Sequence, residues 1–417
     1  MIDDLPFVLA VDVGTSSLKT VLYDTAGSIL ETTTGRYSYH SPQPDWAEAN
    51  PEDWWQAFCA AIDELHRHGR DLTACRVIAF TGQMHTAVLL DSNGKPIEPA
   101  ILWLDRRAAQ ETIDLQKKFN LPPYQLNSTY TLPKLLWLVR NNPEAIARAR
   151  HVLWPKDYLR FRLTGKYLTD FTEAGGAALL DWNRLDWARE RLEQIGIDAA
   201  ILPRLCKPED DAGPLLTTAA DRFGFSKEIK VLTGAGDVLA LITGAPPAPG
   251  RITCSLGSSS MVFLPLFDGK SIEDPQERIY IYPLLPFPML GGVSSTTGAA
   301  LQWAWQTLYP PETSFDQATA LALAALPGSG GIVFLPFLSG EHSPYWSDTL
   351  RGSFFGLSLT HNRDLMLRSV MEGIGFSLRA LLEIYPSLGI PLTEIALAGG
   401  GAVTTGWPQI MADICQL

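Results

Sequence analysis

The chain has 417 residues, with 33 Lys and Arg against 45 Asp and Glu, for a formal net charge of −12. At 46% hydrophobic and 19% charged residues it has material for two or three packed domains, unlike a disordered or fibrous protein. The acidic balance argues against nucleic acid as the main partner, because binding a phosphate backbone needs a basic field. No apolar run is long enough to span a bilayer, and residues 1–4 (Met-Ile-Asp-Asp) carry acid where a secretory signal needs base, so a cytosolic protein is expected. Cys59, Cys75, Cys206, Cys254 and Cys415 include no C-x-x-C pair and read as reduced structural thiols. His66 and His68 do not share a helix face and H-E-x-x-H is absent, which leaves a zinc hydrolase little support.

In chain order, residues 7–13 (F-V-L-A-V-D-V) predict a buried strand with one acid inside it. Gly14-Thr15-Ser16-Ser17 is a turn, 18–23 a second strand, and Asp24-Thr25-Ala26-Gly27 turns the chain into a third at 28–33. This is an antiparallel meander. A helix is expected over 51–65, with Pro51 in its first turn and Glu52 and Asp53 at its positive end. Strands follow at 77–81 and 87–91, and helical patterns at about 105–119, 132–141 and 157–163.

A stiff connector stands at 244–250 (G-A-P-P-A-P-G), and directly after it the opening pattern returns. A strand at 252–256, the turn Gly257-Ser258-Ser259-Ser260 and a strand at 261–266 repeat the first hairpin, glycine on glycine. Such a repeat predicts two domains of one topology, 1–246 and 247–417, related by duplication. The second adds a helix at 299–307, a strand at 332–336, a long helix from 363 to about 384, a strand at 395–398 and a last helix from Trp407.

Each turn of the form G-[TS]-S-S offers consecutive backbone N–H groups under small side chains, a concave array suited to phosphate oxygens, and Lys19 adds charge. One such turn alone is an ordinary hairpin loop; two, each opening a domain, point to a nucleotide held between them. Asp12 either caps its turn or serves the Mg²⁺ that escorts a triphosphate. Asp237, after Gly234 and Gly236, either caps the helix at 238–242 or accepts a proton from a substrate hydroxyl. Gly399-Gly400-Gly401-Ala402 is a loop glycine cluster or a bare surface for a flat ring such as adenine. Gln83, Met84 and His85 follow a buried strand, at the end where α/β sheets bind ligands, although a lone His there is often structural. Trp46, Trp54, Trp55 and Trp103 cluster where a polyol can lie, although most of them are expected to be core or interface, and Asp105 with Arg106 and Arg107 suits a site or a capped ion pair. Neither a P-loop nor a G-x-G-x-x-G motif is present.

Eight motifs in order carry a resemblance: D-x-G-T-S-x-x-K at 12–19, W-x-E-x-x-P-x-x-W-W at 46–55, G-Q-M-H at 82–85, W-x-D-x-R at 103–107, P-K-D-Y-L-R at 155–160, G-x-G-D at 234–237, F-L-P-F-L-S-G-E at 334–341 and G-G-G-A at 399–402. Together they resemble the FGGY carbohydrate kinases of the actin/hexokinase/Hsp70-like superfamily, nearest to the xylulokinase branch. The resemblance implies an α/β fold of two RNase H-like domains with ATP in the cleft between them. It implies D-xylulose as substrate and D-xylulose 5-phosphate as product. A sugar would lie near Gln83, Met84, His85, Trp103, Asp105 and Asp237, with Asp237 as general base. Asp12 and Asp237 would hold Mg²⁺; Gly14, Thr15, Ser16, Lys19, Gly257, Ser258 and Ser259 would hold phosphates; and Gly399 to Ala402 would face the adenine. A homodimer is compatible with it, and no residue pattern marks an interface. Three departures stand out. Val238 replaces the family's usual Asn, Gly340-Glu341-His342-Ser343-Pro344 replaces G-E-R-[TS]-P, and family members continue for several dozen residues past Leu417, so the second domain is expected to lack an edge strand and a covering helix. A kinase for another pentulose, a polyol or an aldonate such as gluconate is the alternative, as is a catalytically impaired sugar- or nucleotide-binding relic.

Overall fold

The computed structural model describes residues 6–121, 126–245, 248–266, 272, 274–284, 287–347 and 349–417. Residues 1–4 and the linker's Pro246 and Pro247 lie outside this set. The chain divides into two compact units, Met1–Ala240 and Leu241–Leu417.

In the first unit, β1 (Phe7–Val13), β2 (Ser17–Asp24) and β3 (Ile29–Arg36) form the expected meander. Strand alternation sends Phe7, Leu9, Val11 and Val13 into the core, while Val8, Ala10 and Asp12 point the other way. Asp12 therefore departs from the buried position expected of it: its side chain lies on the open face of the sheet. Helix α1 (Pro51–Arg67) begins as its residues require, with the Asn50 side chain accepting from the Glu52 N–H and Pro51 at the first position. Trp54, Phe58, Ile62 and Leu65 lie on one stripe and close the core over the sheet. The chain then enters β4 (Cys75–Gly82), parallel to β1.

Between β4 and the last strands of this sheet runs a largely helical stretch. Helix α2 (Ala109–Phe119) starts four residues later than the periodicity predicts, because Asp105 is drawn into the loop before it. With α3 (Thr131–Asn141) it builds a separate core around Leu115, Leu132, Leu135 and Trp154. The predicted strand at 87–91 is Val88–Leu90, which pairs with His151–Leu153 away from the main sheet. Helix α4 (Pro155–Thr164) packs beside α1, and the short α5 (Phe171–Gly176) follows. Strands β5 (Lys230–Val231) and β6 (Ala235–Gly236) then join β4 in parallel, and α6 (Asp237–Gly244) begins at once.

The second unit repeats the plan. Strands β7 (Arg251–Leu256) and β8 (Ser260–Pro265) form the hairpin, β9 (Tyr280–Leu284) and β10 (Phe287–Ser294) extend it, and β11 (Glu394–Ala398) runs parallel to β7. Helices α7 (Gly298–Leu308), α8 (Arg363–Leu382) and α9 (Trp407–Cys415) cover its core. The long predicted helix ends at Leu382 and a separate turn of helix, Ile384–Ser387, follows. Among the described residues β11 is an edge of its sheet, with Ile395 to Ala398 half-buried. The strand at 332–336 shortens to Val333–Leu335 and pairs with Ser353–Phe355 outside this sheet.

All five cysteines are free, and burial pushes the Cys75 and Cys254 thiols up to about 12, which makes them inert at neutral pH. Among the described residues no helix is long and apolar enough to cross a membrane.

Gly234 joins β5 to β6 at φ +82°, and a Cβ there would overlap the Phe80 carbonyl of β4. Gly234→Ala is expected to cost about 2–4 kcal/mol through left-handed strain plus overpacking, read by chemical denaturation. A loss below about 0.5 kcal/mol would show that the strand ends are not held this tightly.

Candidate active site

Parallel pairing lines up three strand ends in the first unit. Asp12 of β1 and Ala235 of β6 both sit opposite Thr81 of β4, and Val13 and Gly236 both sit opposite Gly82. The residues that follow, Gly14, Gln83 and Asp237, therefore leave the sheet at one edge, with β1 and β6 about 10 Å apart across β4.

The turn after β1 is tied down from several directions. Gly14 N donates to Ser17 O at 3.0 Å, while Gly14 O accepts from Tyr37 Oη at 2.6 Å and from Gln83 Nε2 at 3.0 Å. Trp103 Nε1 donates to Thr15 Oγ1 at 2.9 Å, which brings Trp103 to this turn. Lys19 stands opposite Asp12 in the antiparallel register. Protein packed around the Asp12 carboxyl partly desolvates it, although the residue keeps exposed surface, and raises it above the ordinary aspartate value; the Lys19 charge partly offsets that rise.

Asp237 keeps water-accessible surface while standing among densely packed protein. That surrounding, and then the negative charge of Asp12, push its carboxyl up to about 7 against the pull of the Val238 N–H and its own. Helix capping is thus the weaker influence. Beside it Val238 is buried and apolar, a packing residue at the position where a polar side chain was the family expectation. Gly236 is required by its neighbour: a Cβ there would stand 2.6 Å from Met84 Sδ.

His85 takes φ +65°, donates its N–H to Glu173 Oε1 at 3.1 Å, and sets its ring edge-on to Tyr130 at 5.0 Å. Nδ1 lies 2.5 Å from Gly176 O, and since a carbonyl only accepts, Nδ1 carries the hydrogen and Nε2 is left as an acceptor. Burial and the Lys134 charge push its pKa down to about 3, so the ring stays neutral. Lys134, buried, donates to the carbonyls of His85, Leu102 and Thr129 at 3.2, 2.7 and 2.8 Å and so joins the His85 and Trp103 segments from beneath. Its place on an apolar helix stripe gave no chemical signal in sequence.

Asp105 departs from its expected role. Its side chain has no exposed surface; it accepts from Ala47 N at 2.6 Å and from the Arg107 side chain at 2.7 Å. Arg107 also pairs with Glu48 at 2.7 Å and lies 3.6 Å over the Trp46 ring. Asp105 therefore braces the Trp103 loop and presents nothing to a sugar. Trp54 is likewise core, and Trp55 stacks under Arg162 at 4.3 Å.

In the second unit, β7 and β11 end together, with Ser255 opposite Ala398. The Gly257 turn and the Gly399 loop thus share one edge of that sheet. Gly257 O accepts from Gly298 N at 2.9 Å and Ser258 O from Ala299 N at 3.1 Å, which docks the start of α7 against the turn. The residues after Gly399 make one 3-10 turn, Gly400–Val403, before α9 begins at Trp407. Glu341, buried in the 340–344 segment, accepts from Ser294 Oγ, Ser295 N and His342 N at 2.9, 2.6 and 2.9 Å, a structural knot.

The chain matches the models of two domains: the FGGY family of carbohydrate kinases, N-terminal domain, over residues 7–244, and the C-terminal domain over 252–417. It is 33% identical over 427 residues to a xylulose kinase of Bacillus subtilis, covering 98% of this chain and 83% of that one. A gluconokinase of the same organism is 28% identical, with 98% and 83% covered. The crystal structure of a xyloylose kinase from Brucella ovis superposes with a TM-score of 0.86 at 31% identity, over 99% of this chain and 85% of that one. Matching in both halves and along nearly its whole length, with the same duplicated hairpin-and-crossover sheet, the chain belongs to the FGGY family of carbohydrate kinases.

Proposed function

We propose that the protein transfers the γ-phosphoryl group of ATP to D-xylulose, giving D-xylulose 5-phosphate and ADP. One observation carries the chemistry: the Asp237 carboxyl, pushed up to about 7, stands at the strand ends that also present Asp12 and His85. A base with a pKa near neutrality can be ionised before the reaction and still take a proton during it. Asp237 accepts the proton of the sugar's terminal hydroxyl as that oxygen bonds to the γ-phosphorus and the bond to the β-phosphate oxygen breaks. His85 Nε2 accepts from another sugar hydroxyl, Met84 gives an apolar contact, and Trp103 is held beside the Thr15 turn.

The phosphates are assigned to the small-residue turns at Gly14, Thr15 and Ser16 and at Gly257, Ser258 and Ser259, with Lys19 for charge. Gly399 to Ala402 are assigned to the adenine. Among the described residues no three or more His, Cys, Asp or Glu gather to hold a metal. Asp12 and Asp237 nonetheless suit Mg²⁺, which commonly binds one or two carboxylates and fills its other positions with phosphate oxygens and water. Two like charges in one place are also relieved by a cation. When bound, Mg²⁺ neutralises phosphate charge.

The xylulose kinase relatives at up to 33% identity favour the ketose over the aldonate, whose kinase is 28% identical. Buried, apolar Val238 beside the base favours a second reading, a related pentulose or aldonate, because it removes one polar contact. An ADP-release assay on D-xylulose, other ketoses, polyols and gluconate decides. Turnover preferring D-xylulose supports the proposal; preference for gluconate, or melting shifts with no turnover on any sugar, refutes it.

Asp237→Asn should lower turnover by at least about 100-fold, as expected on losing a general base. For the wild-type enzyme, turnover should fall as pH drops through about 7 and the carboxyl gains its proton. Stability should run the other way. A carboxyl whose pKa is raised on folding stabilises the fold while protonated, fully below its unfolded value near 4, and loses that contribution as pH rises towards about 7. Asp237→Asn should therefore melt higher than wild type at about pH 8, with the gap closing near pH 5. A variant that melts lower at both pH values would contradict the raised Asp237 pKa.

A further inference from the structure

The motif P-K-D-Y-L-R at 155–160 has no role in the chemistry above, yet its charged residues lie fully inside the first unit. Lys156 Nζ sits 2.6 Å from Asp157 Oδ1 and 2.8 Å from Asp170 Oδ1, and Arg160 Nη1 donates to Asp157 Oδ1 at 2.8 Å. Thr169 Oγ1 donates to Asp157 Oδ2 at 2.6 Å. Glu173 completes the cluster, and burial raises its carboxyl well above the ordinary glutamate value. Lys156 and Arg160 set two cations against the Asp157 and Asp170 carboxylates, a pairing under which buried charge is tolerated, and burial disfavours a further charge on Glu173.

The network reaches the active-site segments at four points. Arg160 donates to Thr233 O, just before Gly234. Thr172 Oγ1 donates to Asp170 Oδ2 and accepts from Gly236 N at 3.0 Å, one residue before Asp237. Glu173 Oε1 accepts from His85 N at 3.1 Å, and Gly176 O accepts from His85 Nδ1 at 2.5 Å. One short segment, 170–176, therefore grips both the strand that ends in Asp237 and the residue that presents an acceptor to the sugar. The strand just before Asp237 is only two residues long, and besides its pairing with β4 it is held through Gly236 N by Thr172 and, two residues upstream, through Thr233 O by Arg160.

We propose that the segment 170–176, anchored on Lys156, is the brace that sets the distance between Asp237 and the sugar-binding His85, and that Thr172 is the positioning residue for Asp237. The proposal rests on the assignment of Asp237 as the base. Because Asp170 is held by Lys156, the Thr172 hydroxyl has its hydrogen committed and its lone pair aimed at Gly236 N. Removing the hydroxyl frees the Ala235–Gly236 peptide, directly before Asp237, to shift without touching sugar or nucleotide.

Thr172→Val preserves the shape of the side chain and removes both hydrogen bonds; Thr172→Ser keeps them. Thr172→Val should lower kcat about 10- to 100-fold, the scale of a misplacement near 1 Å, with the KM for D-xylulose (or the best substrate of the panel) changed less than about threefold. Thr172→Ser should stay within about threefold of wild type in both. If Thr172→Val fails to fold, Thr172→Cys, whose thiol is a weaker hydrogen-bond partner, should show an intermediate loss of kcat; no loss overturns the proposal. Equal losses in the valine and serine variants, or a loss confined to KM, also overturn it. Asp237→Asn is run alongside. An inactive Asp237→Asn with a fully active Thr172→Val defeats this inference alone, whereas a fully active Asp237→Asn defeats the base assignment and this inference with it.

Discussion

Two carboxylates brought to one sheet edge repel each other, and only the surrounding structure keeps them there. Asp12 stands next to last in β1 and Asp237 directly follows β6, and parallel pairing through β4 matches Val13, Gly82 and Gly236 in one row. The helix N–H groups at Asp237 and Lys19 beside Asp12 offset the cost only in part. The strand ends are locked by bonds that fold and site share: Gln83 N donates to Val13 O, Gln83 Nε2 to Gly14 O, and Gly236 N to Thr172. The raised pKa of Asp237 follows first from desolvation and then from that enforced proximity. On the proposed function, stability is given up where an ionisable group is needed near neutrality, as functional sites commonly do.

Duplication supplies the frame. In each unit a hairpin with a small-residue turn is followed by a strand parallel to its first one, so that the turn and a second loop meet at one sheet edge. The two edges have diverged in chemistry. The first carries Asp12, Gln83, His85 and Asp237; the second carries backbone and glycine around Gly257 and Gly399. On the proposed function, acid–base chemistry draws on the side chains of the first edge, and phosphate and a flat ring on the N–H groups and bare surface of the second.

Several motif residues turn out to hold the architecture. Trp46, Glu48, Asp105 and Arg107 form one assembly in which a guanidinium lies over an indole and between two carboxylates. Glu341 anchors three donors in the second unit, and the charged residues of 155–160 build the internal network. Arginine suits such places because its planar fork meets a carboxylate while its face meets an aromatic ring.

Much of this was legible from residue order. Meander, α1 with Pro51 in its first turn and Glu52 and Asp53 at its positive end, the repeated turn and the domain-scale duplication all follow from strand alternation, helix stripes and turn chemistry, which act over a few residues. Asp12, Gly14, His85 and Asp237 stood out for the same reason. Tertiary structure decided what those rules cannot reach. Which strands pair, and in which register, depends on segments far apart in the chain, so the common edge of Asp12 and Asp237 had no local signature. An aspartate before two arginines reads alike whether it faces a sugar or an ion pair, and only the packing around Asp105 withdrew it from solvent. Lys134, Asp170, Thr172 and Glu173 were silent because a buried polar group is identified by its partners, and those partners meet only when the chain has folded.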